Sequence, residues 1–138
     1  MAFVLDASIV LKWFVEDEMS PDADKLLDRV RSGGAVVPAL FRWEAQNVLV
    51  QAVRNSRLTV GLADLALEEL AALPIAVEHP GEKLFFGGET ALALHYDLTP
   101  YDAAYVAVAL DYRLELATAD SELAKAARDA GVHVIHVR

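Results

Sequence analysis

Short apolar runs alternate with longer segments of helical periodicity along this chain. The run from Phe3 to Leu5 ends at Asp6, and apolar residues then recur at helical spacing from Ile9 to Phe14. This order of strand and then helix repeats to the end of the sequence. The pattern predicts strands at Phe3 to Leu5, Ala35 to Val37, Ile75 to Val77, Glu115 to Thr118 and Val132 to Ile135.

Helix start and stop signals mark the segments between these strands. Ser20 and Pro21 have the chemistry of an N-cap followed by proline at the first helical position, and Gly33 and Gly34 end that helix. Strands separated by helices imply parallel pairing through right-handed crossovers. We therefore expect a three-layer α/β/α sandwich around a central, mainly parallel sheet of four to five strands. The later predicted helices cover Ala39 to Arg54, Leu62 to Leu73, Glu89 to His95, Thr99 to Arg113 and Ser121 to Asp129.

The composition fits one folded unit. The chain has 138 residues, 55% of them hydrophobic, and contains no repeat, low-complexity stretch or linker, so we expect a single domain over residues 1–138. The absence of cysteine excludes disulfides and thiolate metal sites. No apolar run approaches the roughly 20 residues of a membrane-spanning helix, and none is preceded by the positively charged region of a signal peptide. The cytoplasm is therefore the expected compartment.

The charge balance argues against a protein that grips nucleic acid through a general basic surface. The formal net charge is -9 and the sequence pI is about 4.7. Carboxylates that converge on Mg²⁺ or Mn²⁺ nevertheless allow an acidic protein to handle phosphates, because the metal inverts the local field. The composition is thus compatible with a metal-dependent nuclease without selecting one.

Two acidic residues directly follow predicted strands. Asp6 comes after the first strand and Asp120 after the strand that ends at Thr118. In open parallel sheets, ligands bind outside the carboxyl ends of the strands, so both side chains are expected at the same edge. The alternative for each is a helix N-cap, since Asp before a helix satisfies free backbone N–H groups.

Glu44 lies on or beside the apolar face of its predicted helix, close to Phe41 and Val48. A carboxylate there is costly to bury unless it is paired, hydrogen-bonded or bound to a metal. The alternative to a metal role is an ion pair with Arg42 or Lys12. Asn47, three residues on from Glu44, is placed to orient its carboxylate from outside a metal shell, or is a surface amide.

Asp102 combines a local role with an inward position. Thr99 as N-cap, Pro100 at the first helical position and Asp102 two residues later resemble a capping box, with Asp in place of Glu. Asp102 also precedes Tyr105 by three residues, which places it near the face that the helix turns inward. Four carboxylates brought together would repel unless a divalent cation neutralised them, so without metal at least one should have a raised pKa.

Four motifs in this order resemble those of the PIN domain family, and within it those of VapC toxins from bacterial and archaeal toxin–antitoxin pairs. The resemblance implies that the counterparts of Asp6, Glu44, Asp102 and Asp120 form a catalytic metal site. Ser8 and Thr118 match recurring hydroxyl positions. The motifs are Val4 to Ser8, Phe41 to Leu49, Thr99 to Tyr105 and Thr118 to Leu123.

The resemblance also carries expectations about chemistry and partners. It implies a ribonuclease that uses Mg²⁺ or Mn²⁺ to activate water and cleave RNA phosphodiester bonds. It further implies a homodimer and inhibition by a cognate VapB antitoxin, with DNA contacted only indirectly through that antitoxin. A catalytically inactive PIN-shaped scaffold is the alternative within the same family.

Other classes of α/β protein fit the sequence less well. A phosphoacceptor receiver domain needs adjacent acidic residues after the first strand, and Asp6 has no acidic neighbour. A haloacid-dehalogenase-like phosphatase needs a second Asp two residues on, where this chain has Ser8. The four histidines lack the spacing of an HExxH zinc site.

Several further side chains have an open interpretation. Trp13 and Trp43 are able to stack on bases, but their helical patterns favour core packing or an interface. The Ala- and Leu-rich helix from Leu62 to Leu73 is apolar over more than one stripe, which predicts an antitoxin groove or a dimer seam. The basic candidates for phosphate contact, each equally explained as solvated surface charge, are Lys12, Arg42, Arg54, Arg57 and Lys83.

Overall fold

A computed structural model of the chain describes residues 2–81 and 86–138. Five strands of three residues each alternate with helices, as the sequence predicts. The strands are β1 (Phe3–Leu5), β2 (Ala35–Val37), β3 (Ile75–Val77), β4 (Leu116–Thr118) and β5 (Val134–His136). The α-helices are α1 (Ser8–Phe14), α2 (Pro21–Gly33), α3 (Phe41–Arg54), α4 (Val60–Ala72), α5 (Gly87–Tyr96), α6 (Pro100–Tyr112) and α7 (Ser121–Asp129).

The strands form one parallel sheet in the order β3-β2-β1-β4-β5. This confirms the predicted three-layer α/β/α sandwich. The order also excludes a receiver domain, whose sheet runs 2-1-3-4-5. Strands β2 and β3 are added on one side of β1, and β4 and β5 on the other, so the order of strand addition reverses between β1 and β4. Open α/β sheets bind ligands in the crevice at such a switch point, so the fold alone directs attention to the ends of β1 and β4.

The central strand and one helix are buried on all sides. Every residue of β1 is inaccessible to solvent, and so is nearly all of α6 from Ala103 to Ala109. Helix α6 packs against β1, β4 and α5, while α1 packs against α2, α3 and β4. A helix that is apolar all round has to be covered all round, and the alanines of α6 allow this close approach. Its N-terminal turn is thereby fixed above the switch point.

The ends of several elements differ from the sequence prediction. Helix α3 begins at Phe41 rather than Ala39, and α4 begins at Val60, where Thr59 supplies the N-cap. The last strand is shifted toward the C-terminus because Val132 donates its N–H to Ala127 at the end of α7. That bond removes Val132 from the sheet ladder. A short 3-10 turn at Glu16–Glu18 was not predicted.

The two tryptophans have opposite environments. Trp13 is buried as predicted, and its indole N–H donates to the carbonyl of Ala23 over 3.0 Å. Trp43 is 63% exposed, so the expectation of core packing is wrong for this residue. The register of α3 explains the difference, because Phe41 and Ala45 point into the core and Trp43 therefore faces away from it.

Helix α4 leaves much of its apolar surface uncovered. Ala66 is its one buried residue, and the large side chains around it face solvent. Within the described ranges no helix has the length and apolarity needed to cross a membrane. The exposed apolar residues of α4, called here the α4 surface, are Val60, Leu62, Leu65 and Leu67.

Candidate functional site

All four predicted acidic residues line one cleft at the switch point of the sheet. The cleft has a volume of about 410 Å³. Its acidic cluster, meaning Asp6, Glu44, Asp102 and Asp120, comes from four parts of the fold: the ends of β1 and β4 and the first turns of α3 and α6. The other lining residues are Ala7, Ser8, Trp43, Asn47 and Val48.

Asp6 is held by two hydroxyl groups from opposite ends of the chain. Its Oδ2 accepts hydrogen bonds from Ser8 Oγ at 2.5 Å and from Thr118 Oγ1 at 2.8 Å. Each hydroxyl also accepts a backbone N–H, from Ala119 and Asp120 respectively. This hydroxyl bridge therefore ties the loop after β1 to the loop after β4. The Asp6 carboxylate also accepts the backbone N–H of Ser8, the first residue of α1, so Asp6 has a capping contact although the N-cap position itself is Ala7.

The environment of Asp6 opposes its ionisation. The side chain is only 6% exposed, and burial raises the pKa of its carboxyl although the bonds from Ser8 and Thr118 lower it. The charge of Asp120 adds to the upward shift. Asp6 is thus a buried acid whose charge is only partly compensated by the two hydroxyls and the backbone N–H of Ser8.

Glu44 is oriented by a residue that the sequence analysis did not select. Tyr105, fully buried in α6, donates its hydroxyl to Glu44 Oε1 over 2.7 Å. Burial raises the pKa of the Glu44 carboxyl, partly offset by this bond, while burial and the same bond raise the pKa of Tyr105. Tyr105 therefore stays a hydrogen-bond donor at any physiological pH.

The other candidate partners of Glu44 lie elsewhere. Lys12 forms its ion pair with Glu18 at 3.1 Å, and no described basic residue pairs with Glu44. Asn47 lines the cleft, but it makes no hydrogen bond to Glu44 in the part of the chain that the structure describes. The ion-pair alternative is therefore wrong. A buried tyrosine hydroxyl needs an acceptor, and this was the available sequence signal for Tyr105.

Asp102 occupies a capping position without completing a capping box. Thr99 accepts the Asp102 N–H over 3.1 Å, as predicted, but no described residue donates a hydrogen bond to the Asp102 carboxylate. Burial raises the pKa of that carboxyl to about 6, and the charges of the other three cluster members act in the same direction. The expected raised pKa is therefore found at Asp102, where burial and repulsion outweigh the favourable helix dipole.

Asp120 both caps a helix and lines the cleft, which the sequence analysis treated as alternatives. Its Oδ1 caps α7 by accepting the N–H groups of Glu122 at 2.9 Å and Leu123 at 3.2 Å. The other oxygen, Oδ2, accepts no hydrogen bond from the described residues, and the side chain lines the cleft. The cap fixes the orientation of the carboxylate, so capping and site formation are compatible here.

The donor set of the cleft matches a hard divalent cation with a largely aqueous shell. Each cluster carboxylate keeps at least one oxygen that accepts no side-chain hydrogen bond from the described residues. Within residues 2–81 and 86–138, no three His, Asp or Glu side chains converge closely enough to surround one ion. Mg²⁺ typically binds through one or two carboxylates and several waters, so it needs no such group of three side chains.

The predicted phosphate-binding cations that the structure describes do not line the cleft. Lys12 is paired with Glu18, and Arg57 with Asp17 at 3.0 Å. The cleft-lining residues include no Lys or Arg. Of the other candidates, Arg42 and Arg54 are exposed, and Lys83 lies outside the described residues.

Comparison with known proteins identifies the family. The PIN domain model matches residues 3–129. The chain is 31% identical over 125 residues to Ribonuclease VapC3 of Pyrobaculum aerophilum, covering 91% of this chain and 94% of that protein. Among solved structures, PAE2754 of Pyrobaculum aerophilum aligns with a TM-score of 0.70 and 26% identity, covering 97% of this chain and 92% of its own.

A second solved structure supports the fold alone. FitAcB of Neisseria gonorrhoeae aligns with a TM-score of 0.66 and 16% identity, over 99% of this chain and 97% of its own. The family match, by contrast, includes all four residues of the acidic cluster. From its sequence, its sheet order and these likenesses, the chain belongs to the PIN domain family.

Proposed function

We propose that this chain is a metal-dependent endoribonuclease and the toxin component of a type II toxin–antitoxin system. The observation that carries the proposal is the acidic cluster, in which Asp102 has a pKa of about 6 because it is buried beside other carboxylates. Such a cluster is unfavourable unless a cation neutralises it. The likeness to Ribonuclease VapC3 supports RNA as the substrate.

The chain's own residues would hold Mg²⁺ or Mn²⁺ and keep it in place. The hydroxyl bridge fixes Asp6, Tyr105 fixes Glu44, and the α7 cap fixes Asp120. A bound cation would supply an activated water and stabilise the oxygens of an in-line displacement. The cleft, whose lining also includes Asn47 and Trp43, leaves room for the phosphodiester.

Removal of metal should abolish the activity. We expect the purified chain to cut single-stranded RNA with millimolar Mg²⁺ or Mn²⁺, to lose cleavage in excess EDTA, and to recover it when metal is restored. Gel analysis of a labelled RNA over time is the measurement. Cleavage that persists in EDTA would contradict the proposal. RNA binding without cleavage under any metal would instead favour the inactive scaffold.

Loss of the Tyr105 hydroxyl should weaken the site without unfolding the chain. In Tyr105→Phe, Glu44 loses the donor that orients it, and we expect metal affinity and cleavage to fall by about 10- to 100-fold. Isothermal titration with Mn²⁺ reports the affinity independently of cleavage. As a matched control, Tyr112→Phe removes an exposed hydroxyl that donates to Glu78 and to the carbonyl of His79, none of which lines the cleft, and it should bind metal normally. Equal affinities in both variants would show that Tyr105 has no orienting role.

The remaining parts of the proposal concern partners and compartment. We propose a homodimer, a VapB antitoxin bound to the α4 surface or to a surface adjoining it, and contact with DNA only through that antitoxin. The exposed apolar side chains of α4 supply the unpartnered area that such contacts require. The proposed compartment is the cytoplasm, where cellular RNA is available.

A further inference from the structure

Trp43 is the largest exposed side chain of the cleft. It lies on the first turn of α3, directly before Glu44, and 63% of its surface is exposed. Leaving so much indole in water forfeits the stabilisation that burial would give. Several other apolar side chains are equally exposed, but Trp43 lines the cleft, so a ligand bound there would contact its indole.

The charge distribution limits how the cleft can bind RNA. Among the residues that the structure describes, the cleft is lined by four carboxylates and no basic side chain, in a chain with a net charge of -9. The described walls of the cleft therefore offer no Lys or Arg for the phosphate contacts that usually supply most nucleic-acid affinity. Affinity there has to come from bound cations and from contacts that involve no charge. Base stacking on an aromatic ring is the main contact of this second kind.

We propose that Trp43 is a base-stacking platform, on which a nucleobase next to the scissile phosphate packs. The inference rests on the proposed function and adds the form of substrate, because only an unpaired base offers a free face to the indole. The Cα atoms of Trp43 and Glu44 are separated by about 3.8 Å, as in any trans peptide. Both side chains line the same cleft, so a base on the indole lies close to a phosphate held at the acidic cluster.

Steady-state kinetics on a short single-stranded RNA test this role. We expect Trp43→Ala to raise KM by about 5- to 100-fold with kcat nearly unchanged, and Trp43→Phe to keep most of the affinity. Tyr101→Ala is the matched control, since Tyr101 is 64% exposed and directly precedes Asp102 but does not line the cleft. It should behave as the unaltered chain. Unchanged KM in Trp43→Ala would overturn the proposal.

An abasic scan of the substrate locates the stacked base. Removal of that one base should weaken binding to the unaltered chain by a similar factor, and should have little further effect on Trp43→Ala. Additive losses from the two changes would show that the indole and the base do not touch. A changed oligomeric state in Trp43→Ala, with KM unaltered on every substrate, would assign the residue to a protein interface and equally overturn the inference.

A fluorescence measurement separates failure of this inference from failure of the proposed function. Trp13 is buried, so quenching by added single-stranded RNA reports on Trp43, and Trp43→Phe is the blank. Quenching without any cleavage would remove the ribonuclease proposal and keep the stacking platform. Cleavage that depends on Asp6, without quenching or a change in KM, would keep the ribonuclease and remove the platform.

Discussion

Asp6→Asn is expected to lower RNA cleavage by at least about 10³-fold, the loss that corresponds to several kcal/mol of metal-derived stabilisation of the transition state. The amide oxygen of Asn can still accept the bonds from Ser8 and Thr118, so the hydroxyl bridge is kept. What is lost is the negative charge at the most buried position of the cluster. The substitution therefore separates a catalytic carboxylate from a structural acceptor, which a change to Ala does not do.

Two measurements make the Asp6→Asn result decisive. Its unfolding midpoint in EDTA should equal or exceed that of the unaltered chain, because one buried charge has been removed. Asp22→Asn, at the exposed start of α2, controls for loss of an acidic residue and should cleave normally. Full activity in Asp6→Asn would remove the proposed function, and inactivity with loss of fold would show only that Asp6 is structural.

Asp102→Asn should make the metal-free protein more stable while it abolishes cleavage. The pKa of Asp102 is raised to about 6 in the folded chain from an ordinary value of 3.8, so the folded state binds the proton more tightly than the unfolded state. The stabilisation of the folded chain by this bound proton is complete below about pH 4 and is lost as pH rises through 6. With partial solvent screening, the loss at pH 7.5 is about 1–2 kcal/mol.

Denaturant unfolding at two pH values, with and without Mg²⁺, measures this effect. In EDTA, the variant and the unaltered chain should differ little near pH 4, and the variant should be more stable by about 1–2 kcal/mol at pH 7.5. Millimolar Mg²⁺ should reverse the order, because it binds only the folded cluster and needs the charge that Asn lacks. A variant that is less stable than the unaltered chain at pH 7.5 in EDTA would mean that Asp102 acts chiefly as a helix cap.

The central architecture followed from local signals in the sequence. The first three strands begin and end where the apolar runs predicted, since Asp6, Gly34 and Pro74 bound them. The last strand was misplaced because a backbone bond from Val132 to the end of α7 competes with the sheet, and no side-chain pattern reveals that choice. Helical periodicity correctly placed Glu44 near the core, because one face of α3 has to be covered.

The contacts that complete the site were not predictable from local pattern. Glu44 and Tyr105 are 61 residues apart and meet only because α6 is enclosed between the sheet and α5. Trp43 was assigned to the core or to an interface by its apolar character, although Phe41 and Ala45 already occupy the inward face of that turn. Periodicity predicts which face of a helix is buried and does not identify an aromatic residue that lies outside that face and lines a cleft.

The hydroxyl bridge has a consequence for biosynthesis. Asp6 leaves the ribosome early, whereas Thr118, which helps to fix it, follows 112 residues later. At about 5–20 residues per second, that delay is roughly 6 to 22 s. Throughout this interval the nascent chain lacks one wall of the cleft, including Asp120. The proposed ribonuclease would therefore complete its acidic cluster, and become active, only when its own translation is nearly finished.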